Sequence, residues 1–317
     1  MALIKKPSEI EAKKTISMLV YGQPGLGKTT LACSAPAPVL FDYDGGVGRI
    51  HGSHRIDTVQ IRSWEDTNEA MIEVRDAGCY KTIIIDTVGK MLDHIVEYIR
   101  KTQPTYIQRD GSLSLKGYGL RKQMFTDFIR NLQMIGLNVI FVAHEKEEKQ
   151  GDLTVKRADA GTASNANDLF KDLDLVGYMS ALGKDRTISF DPHETYYAKN
   201  TCNLEGLIKI PVLVDAKGNA TSQNTFLNNV VFAKYYAYQN QSNELSKEYN
   251  VLIEKIKGDI ENVTDADSAN AFVEAITAIN HIYDSKVVAQ TLFKKKVDDL
   301  NLMYDKAKKT YVAKKEK

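Results

Sequence analysis

Residues 20–32 read VYGQPGLGKTTLA, and within them Gly22, Gly27, Lys28 and Thr29 fit the pattern G-x-x-x-x-G-K-[ST]. These types in this order suit one chemistry, the cradling of a polyphosphate. Glycines let consecutive backbone N–H groups turn toward phosphate oxygens, and a helix starting at the lysine adds its positive end. Lys28 is expected to reach the β- and γ-phosphates, and the Thr29 hydroxyl to ligate Mg²⁺. The expected nucleotide contacts are therefore Gly22, Gln23, Pro24, Gly25, Leu26, Gly27, Lys28, Thr29 and Thr30.

Three further segments end in polar groups that could complete a phosphoryl-transfer site. TIIIDT (82–87) closes an apolar run with Asp86, 58 positions after Lys28. Such an aspartate holds Mg²⁺, usually through water. It can equally cap a helix starting near Val88, and the two roles are compatible. VLFDYDGG (39–46) carries Asp42 and Asp44, which share one side of an extended chain. Asp44, nearer the loop, is the preferred group to orient or deprotonate a water; the competing reading is a pair of turn-forming aspartates before Gly-Gly. NVIFVAHEKEEK (138–149) ends its apolar run at His144. That imidazole could sense the γ-phosphate or simply satisfy local structure.

These groups need a scaffold that brings strand ends to one edge. Apolar, β-branched runs at 16–21, 38–43, 58–62, 82–86 and 138–144 alternate with helical patterns at 28–35, 64–77, 88–102 and 118–135. That alternation predicts an α/β fold around a mostly parallel sheet. Shorter strands are expected at 153–158, 174–181, 186–191 and 195–200, the later ones forming a hairpin at the sheet edge. AKGNATSQ (216–223) reads as a linker. The expected organisation is a core over 1–215, the linker, and a small helical C-terminal appendage over 224–317. The last twelve residues hold six lysines and one glutamate, either a frayed helix end or a basic arm.

Bulk properties exclude several classes. The 317 residues are 43% hydrophobic and 26% charged with a net charge of +1, so nucleic-acid contact must come from local patches. Cys33, Cys79 and Cys202 form no CxxC pair, which argues against a zinc site or disulfide framework. No apolar run reaches the ~20 residues of a membrane span, and no signal peptide is visible. A soluble protein of a reducing cytoplasm is expected.

The cradle, the acid and the sensor at three strand ends resemble the RecA-like branch of P-loop ATPases. VLFDYDGG, IIIDTV, KGYGLRKQMFTDFIRNLQ, NVIFVAHEKEE and YYAKN together look like the phage and prophage ATP-binding proteins of the minimal RecA-core type, over roughly residues 15–210. The resemblance implies ATP and Mg²⁺ as cofactors, assembly into rings or filaments, and single-strand annealing or recombination. It also implies that Lys199, in YYAKN, reaches the γ-phosphate of a neighbouring subunit. The family carries a glutamate where this chain has Asp44, and the shorter side chain implies slow hydrolysis. Two loops are candidates for single-stranded DNA: 103–117, with Tyr106, Arg109 and Lys116, and 145–168, with Lys146, Lys149, Lys156 and Arg157. Ordinary solvated loops explain both as well. A helicase-loader or translocase motor, and an ATP-gated DNA-binding module with vestigial hydrolysis, are the alternatives to a recombination ATPase.

Overall fold

A computed structural model describes residues 5, 10, 12–161, 171–183 and 185–314. The chain divides into two compact units, Lys13–Tyr238 and a second containing Gln239–Lys317.

In the first unit the strands are β1 (Ser17–Gly22), β2 (Pro38–Asp42), β3 (Thr58–Gln60), β4 (Thr82–Asp86), β5 (Asn138–Gln150), β6 (Leu153–Ala158), β7 (Leu175–Leu182), β8 (Asp185–Ser189) and β9 (Leu207–Ile210). The helices are α1 (Lys28–Ala32), α2 (Trp64–Ala77), α3 (Val88–Thr102), α4 (Leu115–Met134) and the start of α5 (Ala233–Glu261). Among the described residues the sheet order is β3-β2-β4-β5-β1-β7-β8-β9, with β6 paired to the outer part of β5. The strands from β3 to β7 pair in parallel, whereas β8 and β9 are antiparallel additions. This is an α/β fold around a mostly parallel sheet, in which β5 lies between the strand that feeds the phosphate loop and the strand that ends in Asp86.

Alternation along each strand explains the layers, because successive side chains leave a strand on opposite faces. Leu19, Tyr21, Phe41, Ile83, Ile85 and Phe141 pack with Met91, Ile95, Phe125 and Leu132 of α3 and α4. Their neighbours Met18, Val20, Leu40, Ile84, Ile140 and Val142 pack on the other face with Leu31, Leu227, Val231, Phe232 and Tyr235. Central strands buried on both faces read as continuous apolar runs, which is why they were legible.

Several boundaries differ from the sequence expectations. No regular strand forms over 195–200; those residues make only isolated bridges, such as Val176 to Lys199. The strand that follows β8 is β9, whose LIKI is too short to stand out. The expected linker 216–223 lies inside the first unit, since 224–238 stays with the sheet through Phe226, Leu227, Val231, Phe232 and Tyr235. These apolar groups cover a sheet face that α1, at five residues, is too short to cover alone.

The second unit has its own core of Ile253, Ile256, Ile260, Phe272, Phe293 and Val297. These residues come from α5, α6 (Ala266–Thr277) and α7 (Ser285–Asp299). The C-terminal stretch is not wholly helical: β10 (Leu302–Asp305) and β11 (Thr310–Ala313) form an antiparallel hairpin. The lysine-rich end is thus neither a frayed helix end nor, as far as Lys314, an unstructured arm; residues 315–317 lie outside the described residues. Tyr311 packs edge-on to Phe293 with ring centroids 5.3 Å apart, which holds the hairpin to α7.

Candidate functional site

The phosphate loop leaves β1 at Gly22, whose sheet partners are His144 on one side and Met179 on the other. A Cβ at Gly22 would stand 2.4 Å from the Met179 carbonyl oxygen, so no other residue fits without parting β1 from β7. Gly25 and Gly27 adopt left-handed φ values of 81° and 83°, conformations that glycine reaches without steric cost. The loop therefore needs its glycines for backbone reasons.

Lys28 is only 5% exposed. Its Nζ donates to the carbonyl oxygens of Gly22 at 3.0 Å and Gln23 at 2.8 Å. Burial pushes its pKa down, and the Asp86 carboxylate opposes that shift. The buried ammonium is thus satisfied by neutral carbonyls, partners that a phosphate would outcompete.

Asp86 ends β4 beside Asp42, its register partner on β2. Its Oδ2 accepts a 2.6 Å hydrogen bond from Thr29 Oγ1. The helix-capping alternative goes to its neighbour, because Thr87, not Asp86, accepts from the Lys90 N–H at the start of α3. Burial pushes the Asp86 carboxyl up to about 6; the Thr29 hydrogen bond opposes this, and the nearby Asp44 and Asp42 charges add to it. A hydroxyl and a buried carboxylate in contact are hard oxygen donors of the kind Mg²⁺ takes, with water and phosphate completing its octahedron. Among the described residues no group of three or more His, Cys, Asp or Glu side chains forms a metal cage.

The two aspartates at and just after the end of β2 have different jobs. Asp42 is buried and accepts from three backbone N–H groups: Oδ1 from Gly46 at 2.9 Å and Asp44 at 3.3 Å, Oδ2 from Val47 at 3.0 Å. It builds the turn. Asp44 has one oxygen 3.4 Å from Arg49 Nη1, while its Oδ1 is buried without a hydrogen-bond partner. The charge of Asp44 acts on Asp86, and this buried oxygen has no partner among the described residues.

His144 is exposed at the point where β5 passes the start of the loop. Desolvation and the Lys28 charge push its pKa down. Lys28 and Asp44 thus lie within electrostatic reach of both Asp86 and His144. Lys199 is not among them. Its Nζ donates to the carbonyls of Lys171 and Leu173 in its own chain.

Glu145 follows His144 on β5. Its side chain is 7% exposed, its Oε2 has no partner, and its charge acts on Lys28. No spacing rule marks it; only the pairing of β5 with β1 brings it near the loop.

The candidate DNA loops diverge. Residues 145–158 form a β-ribbon in which Lys146 and Arg157 pair with Glu148, and Lys156 with Glu145. Its basic charge is largely cancelled internally; residues 162–168 of that loop lie outside the described residues. In 103–117, Arg109 and Lys116 are exposed and Tyr106 is half-buried. Just beyond, the Arg121 guanidinium lies 5.0 Å over the exposed Tyr118 ring. No helix among the described residues is long and apolar enough to cross a membrane.

Comparisons with known proteins follow the same outline. A stretch of 174 residues is 28% identical to the SPbeta prophage-derived uncharacterized protein YorG of Bacillus subtilis strain 168, covering 52% of this chain and 51% of that protein. The chain spans about half the length of that curated relative. Among solved structures, the KaiC-like protein PH0186 from Pyrococcus horikoshii OT3 is 14% identical, with a TM-score of 0.34 over 62% of this chain and 89% of its own. That likeness is too distant to carry an argument. Residues 14–202, more than half of the chain, match the family model described as an AAA domain, and the chain belongs to that family.

Proposed function

We propose that the protein is a magnesium-dependent ATPase that assembles into rings or filaments and acts on single-stranded DNA in phage-type recombination, annealing or replication in the host cytoplasm. The observation that carries the ATPase reading is the Thr29–Asp86 contact beside the buried Lys28 ammonium. Thr29 and Asp86 would hold Mg²⁺, which would supply positive charge against the developing negative charge of the phosphates. Lys28 exchanges its loop carbonyls for phosphate oxygens. Asp44 Oδ1 accepts the proton of the water that attacks the γ-phosphorus as ADP leaves. His144, beside the loop, hydrogen-bonds the γ-phosphate and carries its loss into the β5–β6 ribbon, which continues from the same strand.

Single-stranded DNA is supported more by 103–121 than by the ribbon. Arg109, Lys116, Tyr106 and the Tyr118–Arg121 pair combine exposed charge with rings, as backbone tracking and base stacking require. The prophage name of the relative supports the phage setting. A contribution of Lys199 to a neighbour's site requires its amine to leave the Lys171 and Leu173 carbonyls on assembly.

The test is ATP turnover at rising protein concentration, with and without single-stranded DNA, for wild type, K28A and K199A. The reading expects turnover per chain to rise under both titrations, K28A to be inactive, and K199A to lose the concentration dependence. Flat turnover under both titrations refutes the assembly and DNA parts, and activity in K28A refutes the ATPase itself.

A further inference from the structure

Arg186 lies on β8, where its backbone partners are Ala181 of β7 and Ile210 of β9. Its side chain nevertheless reaches the phosphate loop: a Cβ placed on Gly27 would stand 2.8 Å from Arg186 Nη1. The residue is exposed, and no carboxylate among the described residues pairs with it. Its strand neighbour Asp185 is taken by Lys209 at 2.8 Å. A guanidinium held against a phosphate loop without a counter-charge adds positive potential where an anion would lie. Its planar fork of donors also matches phosphate oxygens.

The strand order says which part of a nucleotide it would meet. Asp86 and His144 belong to β4 and β5, and Asp44 follows the end of β2; all three strands lie on one side of β1. Arg186 comes from the opposite side, across β7. A nucleotide whose reacting end faces the acids and the imidazole directs its unreacting end toward β8.

We propose that Arg186 is a nucleotide-binding residue that grips the α-phosphate side of a nucleoside di- or triphosphate bound to the same chain. This rests on the nucleotide reading above. Because the contact lies away from the transferred phosphate, it serves ATP and ADP alike and does not take part in the chemical step. It also makes the β7–β8 hairpin part of the binding site, although nothing in the loop motif announces it.

Calorimetric titration of ATP and of ADP, with Mg²⁺ and again in EDTA, into wild type, R186Q, R186K and K28A tests the proposal. One charge-assisted hydrogen-bonding group lost from a partly exposed site weakens binding about tenfold or more. R186Q is therefore expected to weaken both nucleotides by a similar factor. R186K, which keeps the charge but not the fork, should recover part of the loss. The fluorescence of the single tryptophan, Trp64, should show R186Q folded as wild type. Unchanged binding in R186Q overturns the assignment, and so does a loss confined to ATP, which would place the guanidinium on the γ-phosphate. If K28A loses binding while R186Q does not, only Arg186 is refuted. If wild type binds neither nucleotide, the nucleotide reading falls and takes this proposal with it.

Discussion

Asp86→Asn should stabilise the protein while removing its metal site. The wild-type carboxyl is 3% exposed and titrates near 6 instead of 3.8, so the fold binds that proton more tightly than the unfolded chain does. The sign follows from linkage: stability from this group is fully present below pH 3.8 and is lost as pH rises through 6. The difference is about two pH units at about 1.4 kcal/mol each, so ionised Asp86 costs the metal-free fold about 3 kcal/mol at pH 8. Asparagine has nearly the same shape, keeps an oxygen for the Thr29 hydroxyl and carries no charge. The assay is urea unfolding in EDTA at pH 5 and pH 8, followed by Trp64, which is 7% exposed and packs edge-on to Phe128 in the first unit. Other carboxylates titrate too, so the informative quantity is the difference between variant and wild type at each pH. D86N should be about 3 kcal/mol more stable at pH 8, with a smaller gain at pH 5, where the wild-type carboxyl is largely protonated. A variant less stable than wild type at pH 8, or a difference independent of pH, would refute the burial argument.

Three other outcomes are expected. The Mg²⁺-dependent part of ATP affinity should fall as pH drops below about 6, approaching tenfold per pH unit as Asp86 protonates; calorimetry between pH 5 and 8 with and without Mg²⁺ checks it. Gly22→Ala should cost about 2–4 kcal/mol, because its Cβ meets the Met179 backbone rather than a side chain that can move, whereas Gly25→Ala, with open space around it, should cost only the left-handed conformation, about 1–2 kcal/mol; urea midpoints compare them. Asp42→Ala should lose about 2–4 kcal/mol of stability with its three backbone hydrogen bonds, while Asp44→Ala should leave stability within about 1 kcal/mol of wild type and lower turnover; unfolding and ATPase measurements on both variants separate the roles.

The loop from Gly22 to Thr30 and the apolar strands ending at Asp86 and His144 were legible because their signals are local. A glycine spacing, a lysine-threonine pair and a run of β-branched residues each describe a few consecutive positions, and the backbone conformations they demand follow from those positions alone. The alternation of strands and helices likewise carried the α/β class. What the chain determined by itself was therefore the cradle, its strand, and the kind of sheet that must surround it.

Only the tertiary structure decided which polar groups the cradle meets. Asp42 and Asp44 are indistinguishable by alternation, yet one is consumed by the N–H groups of its own turn and the other keeps an unpartnered oxygen. Lys199 matches a family position, but its amine is held by carbonyls of Lys171 and Leu173. Arg186 has no local mark at all and arrives through the pairing of β7 with both β1 and β8. Glu145 reaches Lys28 because β5 lies beside β1. The physical reason is common to all four. Strand order and register join residues far apart in the chain, and the free energy that selects them comes from burying whole faces of the sheet, so no short stretch encodes the result.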